Sequence, residues 1–357
     1  MPVNHLYDTW FRAVRKLLPE ERITRVRNLV WLIVGMYLSQ SVHLSRIAAR
    51  LPLRVTLPAT VQRLSRFLQS AAFRPRLWYR SLAEGLLAAA ARCGPVRLIV
   101  DGSKIGARHQ LLIVTLAYRK RALPIAWTWV RGPRGHSDGN KQLALLRYVQ
   151  ALLPEKAEVL LTGDSEFGSV PVLRQLERWH WHYVLRQKGS LLVCVTQDFH
   201  WQRLDQLLTH KGQVFWYPRA LLTQEHLFHT RLLAYWKPGE DEPWFLTTNL
   251  PDQDTTLRAY KRRMWIEEMF GDWQGHGVDV EKTRLGHFQR LSRLIFAIAL
   301  LYLWLVTRGS QTIREGLRRL VDRKDRRDLS IFRIGLYFTQ RFCSYESAPT
   351  VRLIPCL

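Results

Sequence analysis

Three acidic residues in a strongly basic chain raise the chemical question. The segment VRLIVDGSKI (96–105) contains a short apolar, β-branched run that ends on Asp101, and LLTGDSEF (160–167) ends a second such run on Asp164. Both patterns predict an acid at or just past the end of a strand. Strand ends lying side by side bring two carboxylates together, which is costly unless cations fill the space, and carboxylates with open positions favour Mg²⁺ or Mn²⁺. Taken singly, each aspartate also reads as an ordinary turn acid; the matching context favours the pair. Glu166 follows Asp164 by two residues and is a candidate supporting acid on the same side.

The third acid sits in YKRRMWIEEMFGDWQ (260–274). On a helix, Tyr260, Arg263, Glu267 and Gln274 are separated by three, four and seven residues and share one face. Glu268 is rotated about 100° from Glu267, the step set by 3.6 residues per turn. The two glutamates are therefore inequivalent: Glu267 lies with Tyr260 and Arg263, whereas Glu268 lies with Met264 and reads as a structural ion-pair partner.

These acids stand out because the chain has 54 Lys+Arg against 29 Asp+Glu, a formal net charge of +25 and 47% hydrophobic residues. Such a composition describes a folded protein whose basic surface suits a polyanion, nucleic acid first and an anionic membrane second. The longest apolar run, LIFAIALLYLWLV (294–306), is shorter than the ~20 residues of a membrane-spanning helix and reads as a buried helix. The N-terminal segment lacks signal-peptide order, so a cytoplasmic, nucleoid-associated protein with no membrane partner is expected. Cys93, Cys194, Cys343 and Cys356 are scattered without a CxxC and read as free thiols.

The elements that must position the acids follow from periodicity. Residues 24–92 are helical in pattern, and within HLSRIAARLPLRVTLPATVQRLSRFLQS (43–70) two short amphipathic segments around a proline-bearing turn are compatible with a helix-turn-helix or a plain helical cap. From Pro95 the pattern changes to three strands at hairpin spacing, 96–105, 110–120 and 122–130. A helix at 139–153, a strand at 157–165, a helix at 170–180 and a strand at 182–189 follow. Residues 190–250 alternate polar and apolar and read as an antiparallel β insertion. Helical periodicity returns from about 253 to 307, broken near GHGVD, and RRLVDRKDRRD (318–328) reads as a solvated basic helix face able to touch phosphate.

With these residues in view, the chain resembles a transposase of the DDE superfamily, in the branch typified by the insertion sequence 4 family. That family's signature is Tyr-x2-Arg-x3-Glu-x6-Lys, read here as Tyr260, Arg263, Glu267 and Gln274, the last departing from lysine. The resemblance extends over 96–307: DGSKI, then RGHSDGNKQLALL, GDSEFG, the β insertion and the glutamate helix. It implies an α/β, ribonuclease-H-like mixed sheet with helices, a β-rich insertion and an α-helical N-terminal domain. The implied division is a helical DNA-binding domain (1–94), the first part of the catalytic domain (95–189), the insertion (190–250), the end of the catalytic domain with the glutamate helix (251–310) and a basic C-terminal tail (311–357).

By the same resemblance Asp101, Asp164 and Glu267 are the catalytic triad and hold two Mg²⁺ or Mn²⁺ ions, so that one site runs hydrolysis at transposon ends and strand transfer into target DNA. Tyr260, Arg263, Gln274 and Lys282 are the implied DNA contacts, Lys282 as a replacement for the missing lysine. The implied partner is double-stranded DNA, both terminal inverted repeats and target, bound by a homodimer in a prokaryotic cell. Trp216, Trp236 and Trp244 are either core or a stacking surface for a flipped base. His136 and Ser137 are either substrate-facing or part of a glycine-rich turn. Two other readings stay open: a ribonuclease-H-like nuclease that does not transpose, and a transposase-derived DNA-binding protein that no longer cuts.

Overall fold

Val, Ile and Leu dominate residues 96–130, and this stretch forms three long strands: β1 (Val96–Ile105), β2 (His109–Tyr118) and β3 (Arg121–Arg131). The β2–β3 connection is a two-residue turn in which Arg119 and Lys120 both adopt positive φ, 44° and 62°, matching the twist of a tight hairpin. Pro124 is tolerated in β3 because β3 is an edge strand, where a missing N–H need not break a ladder. The computed structural model describes residues 3–105, 109–131, 137–195, 200–275, 277–342 and 350–357.

After β3 the chain alternates helix and strand: α6 (Gly139–Gln150), β4 (Val159–Gly163), α7 (Val170–Arg178) and β5 (His182–Arg186). β4 lies parallel to β1 and β5 lies parallel to β4, so the first five strands are ordered β3-β2-β1-β4-β5. Three sequential antiparallel strands followed by two parallel crossovers is the ribonuclease-H-like arrangement. The central strands β1 and β4 are buried along almost their whole length, as strands covered on both faces must be.

Residues 190–250 form β6 (Leu192–Cys194), β7 (Trp201–Arg203), β8 (Val214–Leu222), β9 (Phe228–Tyr235) and β10 (Trp244–Thr248). They are antiparallel, and they do not form a separate sheet. β10 pairs with β5, and the order continues β10-β9-β8-β6-β7, giving one mixed sheet of ten strands. α8 (Gln253–Lys261), capped by Asp252 through the Thr255 N–H at 2.8 Å, lies on this sheet. Its Leu257, Ala259 and Tyr260 pack against Leu160 of β4, Val184 of β5, Leu233 of β9 and Leu246 of β10.

Two compact units result: residues 90–103 with 112–267, which hold the sheet, and residues 1–89, 104–111 and 268–357, which are mainly helical. The helical unit contains α1 (Val3–Leu17), α2 (Ile23–Ser39), α3 (Leu44–Ala49), α4 (Leu57–Gln69), most of α5 (Pro75–Ala91), the end of α9 (Trp265–Trp273), α10 (Phe288–Arg314) and α11 (Ile331–Phe342). α10 is its core helix. It is long and apolar enough to cross a membrane, but 89% of its most apolar window is buried inside the protein. Trp304 meets Trp10 and Tyr37 edge-on at 5.3 and 5.5 Å, and Phe296 meets Phe73 at 5.4 Å. The buried Arg293 donates to the Leu68 and Phe73 carbonyls at 2.7 and 3.0 Å, closing orphan acceptors at and just beyond the end of α4.

The crossing of α10 and α11 is a backbone contact. A Cβ on Gly309 would stand 1.9 Å from the Ile331 carbonyl oxygen, and one on Gly335 would stand 1.9 Å from that of Leu305. Neither oxygen can yield without moving its helix, so Gly335→Ala is expected to destabilise the protein by about 1–3 kcal/mol or more, the cost of overpacking a core. Chemical denaturation checks this; an unchanged midpoint would mean that the helices separate freely.

Candidate active site

The register of the parallel strands places the first two acids. Val100 of β1 stands opposite Gly163 of β4, so Asp101 and Asp164 leave the paired region side by side. β1 itself continues to Ile105, so Asp101 lies within the strand, at the point where its parallel neighbour stops, and not at the strand's own end as the sequence suggests. Gly163 is required there because a Cβ would approach the Val100 Cγ1 to 2.8 Å and the Leu185 Cδ2 to 3.0 Å.

Asp101 is buried, 1% exposed. Its Oδ1 accepts from the Gly102 N–H at 2.7 Å and its Oδ2 from the Arg263 Nη2 at 2.8 Å. Asp164 accepts from the Glu166 N–H at 3.0 Å, which folds the following turn back on the carboxylate, and its Oδ2 lies 3.9 Å from the Arg263 Nη2. Glu267 is the most open of the three, 45% exposed, and its Oε1 accepts from the Arg263 Nη1 at 2.6 Å. Three carboxylates from β1, the turn after β4, and α9 thus converge on one guanidinium.

Arg263 reaches them because the helix is not continuous. A 3₁₀ turn, Arg262–Met264, separates α8 from α9, so the expected single face from Tyr260 to Gln274 is divided. Arg263 is 9% exposed, and among the described residues its buried Nε has no hydrogen-bond partner. Burial works to lower its pKa, but Asp101, Tyr260, Glu267 and Asp164 outweigh burial and raise it, so the guanidinium stays charged.

Tyr260 is only 2% exposed, its ring edge-on to Trp244 at 5.1 Å, and burial pushes its phenol up to about 12. The structure therefore gives it a packing partner where the resemblance implies a DNA contact: α8 lies on the sheet with this side inward. Trp216 and Trp244 pack on the same cluster, and the Trp236 Nε1 donates to the Glu240 carbonyl at 3.1 Å. Gln274 and Lys282 belong to the helical unit, where both line a cleft of about 330 Å³ with Arg333 and Tyr337. Lys282 is exposed and 2.7 Å from the Asp279 carboxylate. Glu268 is exposed and opens the helical unit, whereas Glu267 closes the sheet unit.

A supporting network surrounds Glu166, the supporting acid the sequence suggests, and its two glutamines escaped the sequence argument. The Glu166 carboxylate accepts from the Ser137 N–H at 2.8 Å, and Gln142 donates to the Ser137 Oγ at 2.8 Å and to the Glu166 carbonyl at 2.9 Å. Gln187 donates to the Gly168 carbonyl at 3.0 Å and to the Thr247 Oγ1 at 2.8 Å. Together they fix the turn that carries Asp164. The legible signal was a glutamine at a core position: Gln142 is 2% and Gln187 5% exposed. His136 lies outside the described residues.

The donor set consists of hard carboxylate oxygens suited to Mg²⁺ or Mn²⁺. Among the described residues no group of three His, Cys, Asp or Glu side chains is assembled to hold a metal ion, and these carboxylates meet a guanidinium, itself a cation. In donor chemistry the three carboxylates fit a divalent metal.

Comparison with curated proteins finds no match. Among solved structures, the fold is similar to that of piggyBac transposase in its synaptic complex with hairpin DNA, at 11% identity and a TM-score of 0.42, over 94% of this chain and 77% of that one. The profile of the transposase DDE domain matches residues 92–304, which includes every element that carries Asp101, Asp164 and Glu267, and the chain belongs to the transposase DDE domain family.

Proposed function

We propose that this protein is an insertion-sequence transposase of the insertion sequence 4 type. On this reading Asp101, Asp164 and Glu267 hold two Mg²⁺ or Mn²⁺ ions while it cleaves transposon ends and joins them to target DNA. The observation that carries the proposal is the convergence of these three carboxylates on a single cationic group, from the three elements the family's order requires. Bound metal would supply activation of the attacking oxygen and stabilisation of the leaving one. The remaining roles belong to the chain. Asp101 is fixed by its bond to the Gly102 N–H and Asp164 by the Glu166 N–H, so both carboxylates are held before substrate arrives. Glu267, the most exposed of the three, is bonded to Arg263 from α9.

Arg263 leaves the carboxylates on this reading and turns to a DNA phosphate, for which its planar fork is suited. Tyr260 acts by packing α8 onto the sheet so that the 3₁₀ turn faces the acids. Gln274 and Lys282 contact DNA from the helical unit. The partner is double-stranded DNA, terminal inverted repeats and target, bound by a homodimer in the cytoplasm of a prokaryotic cell. The outward residues of α4, Gln62, Arg63 and Arg66, offer a basic helix face to a groove.

Asp101→Ala, Asp164→Ala and Glu267→Gln are each expected to lower cleavage of a transposon end by at least about 10³-fold while duplex binding survives. Glu268→Gln should cleave normally; the reverse pattern for the two glutamates would reassign the third acid. In a strand-transfer assay with a 3′-hydroxyl end, cleavage without joining would make the protein a nuclease.

Arg263→Gln is expected to cost about 3–5 kcal/mol without divalent metal, because it leaves the buried Asp101 uncompensated. Saturating Mg²⁺ should restore about 2–3 kcal/mol of that loss in a thermal melt, by binding only the folded state. No gain with Mg²⁺ would argue against a metal site at these carboxylates.

A further inference from the structure

The segment that follows α10 is a built basic cradle, and nothing in the catalytic reading uses it. Arg318, in the 3₁₀ turn Leu317–Leu320, donates to the Asp322 carboxylate at 2.7 Å. Asp322 is buried and accepts in turn from the Arg323 N–H at 3.0 Å. Arg341 of α11 ties the Leu320 carbonyl at 2.9 Å. These bonds hold residues 316–327 around a concave pocket of about 270 Å³, lined by Ile313, Gly316 and five basic side chains, Arg318, Arg319, Arg323, Lys324 and Arg327. No acidic side chain lines it among the described residues. Arg319, Arg323, Lys324 and Arg327 are exposed, and among the described residues none of them is in an ion pair.

We propose that this cradle is a phosphate-backbone binding site for duplex DNA, separate from the carboxylate site. The ligand class follows from the chemistry: clustered cations around a polar concavity release counterions when they meet closely spaced phosphates. Arg accounts for four of the five bases, the residue type suited to bidentate phosphate contact. A membrane surface suits the site less well, because an interfacial segment needs an apolar face, and Leu320 is the one large exposed apolar side chain among residues 316–327. The choice of DNA over other polyanions rests on the transposase reading.

The test is the affinity of the full-length protein for a labelled duplex of arbitrary sequence, measured by anisotropy between about 0.05 and 0.2 M salt. The quadruple variant Arg319→Ala, Arg323→Ala, Lys324→Ala, Arg327→Ala should bind at least about tenfold more weakly at low salt, with the slope of log K against log salt shallower by about 2–4, since each lost phosphate contact removes about 0.9. Arg319→Lys, Arg323→Lys, Arg327→Lys keeps the charge and should recover most of both. A control with the same charge loss elsewhere, Arg12→Ala, Lys16→Ala, Lys156→Ala, Arg178→Ala, should keep the slope within about one unit of wild type.

An unchanged slope in a quadruple variant that melts like wild type would overturn the proposal, as would an equal loss in the control. So would a variant that keeps its DNA affinity but loses binding to phosphatidylserine vesicles. In each case the acid-dependent cleavage of the parent protein stands. If the parent binds no duplex at all, it is the transposase reading that falls.

Discussion

The ion pairs of Arg263 are the constraint on which the sheet unit turns. A guanidinium that is 9% exposed is tolerable only where carboxylates compensate it, and here Asp101, Glu267 and Asp164 lie at 2.8, 2.6 and 3.9 Å. The arrangement depends on two packing decisions made elsewhere. The parallel register of β1 and β4 sets two acids side by side at the end of their pairing. The burial of Tyr260 and Leu257 lays α8 on β4, β5, β9 and β10, and the 3₁₀ turn then aims Arg263 at those acids. Disturbing either removes the partners of a buried charge, which is a larger penalty than the loss of an exposed pair.

Much of this was legible because the relevant signals are local. β1, α6 and α7 begin at the residues that the sequence pattern marks, and the two aspartates stand where apolar runs give way to Gly-Ser and Ser-Glu. Less legible were features decided by tertiary neighbours. A uniform helical period runs through 253–274, so nothing in the pattern marks the 3₁₀ turn Arg262–Met264 that separates α8 from α9. Tyr260 on a polar-looking helix, mean pattern QDTTLRAYK, is buried because the sheet extended by the insertion supplies its pocket. That extension was itself invisible: alternation identifies β8, β9 and β10 as strands but does not say that β10 will pair with β5. The order of the acids therefore came from sequence, and their cation came from packing.

The charge distribution can be argued from the same residues. Three carboxylates and one guanidinium leave the site formally at −2, inside a chain with a formal charge of +25. A phosphodiester would be repelled from that site as built by protein alone, since exposed charges of like sign within a Debye length, about 8–10 Å, oppose approach. Chemistry on phosphate there requires additional positive charge between the carboxylates, which is the same requirement that the metal proposal meets. The basic surface cannot substitute for it. Two of its cations are paired with acids of their own, Arg318 with Asp322 and Lys282 with Asp279.

Arg263 has a consequence for the order of events. While it bridges the acids, its Nη1 is engaged by Glu267 and its Nη2 by Asp101. On the proposed reading, release of Arg263 to a DNA phosphate and loading of the carboxylates would be the two halves of one exchange, each favouring the other by removing its competitor. Such reciprocity is a linkage between two ligands: whatever factor DNA contributes to metal affinity, metal contributes to DNA affinity. A site of this kind is held closed by its own arginine when neither ligand is present. On the proposed reading the buried Asp101 would keep a positive partner throughout, the guanidinium before the exchange and a bound metal after it.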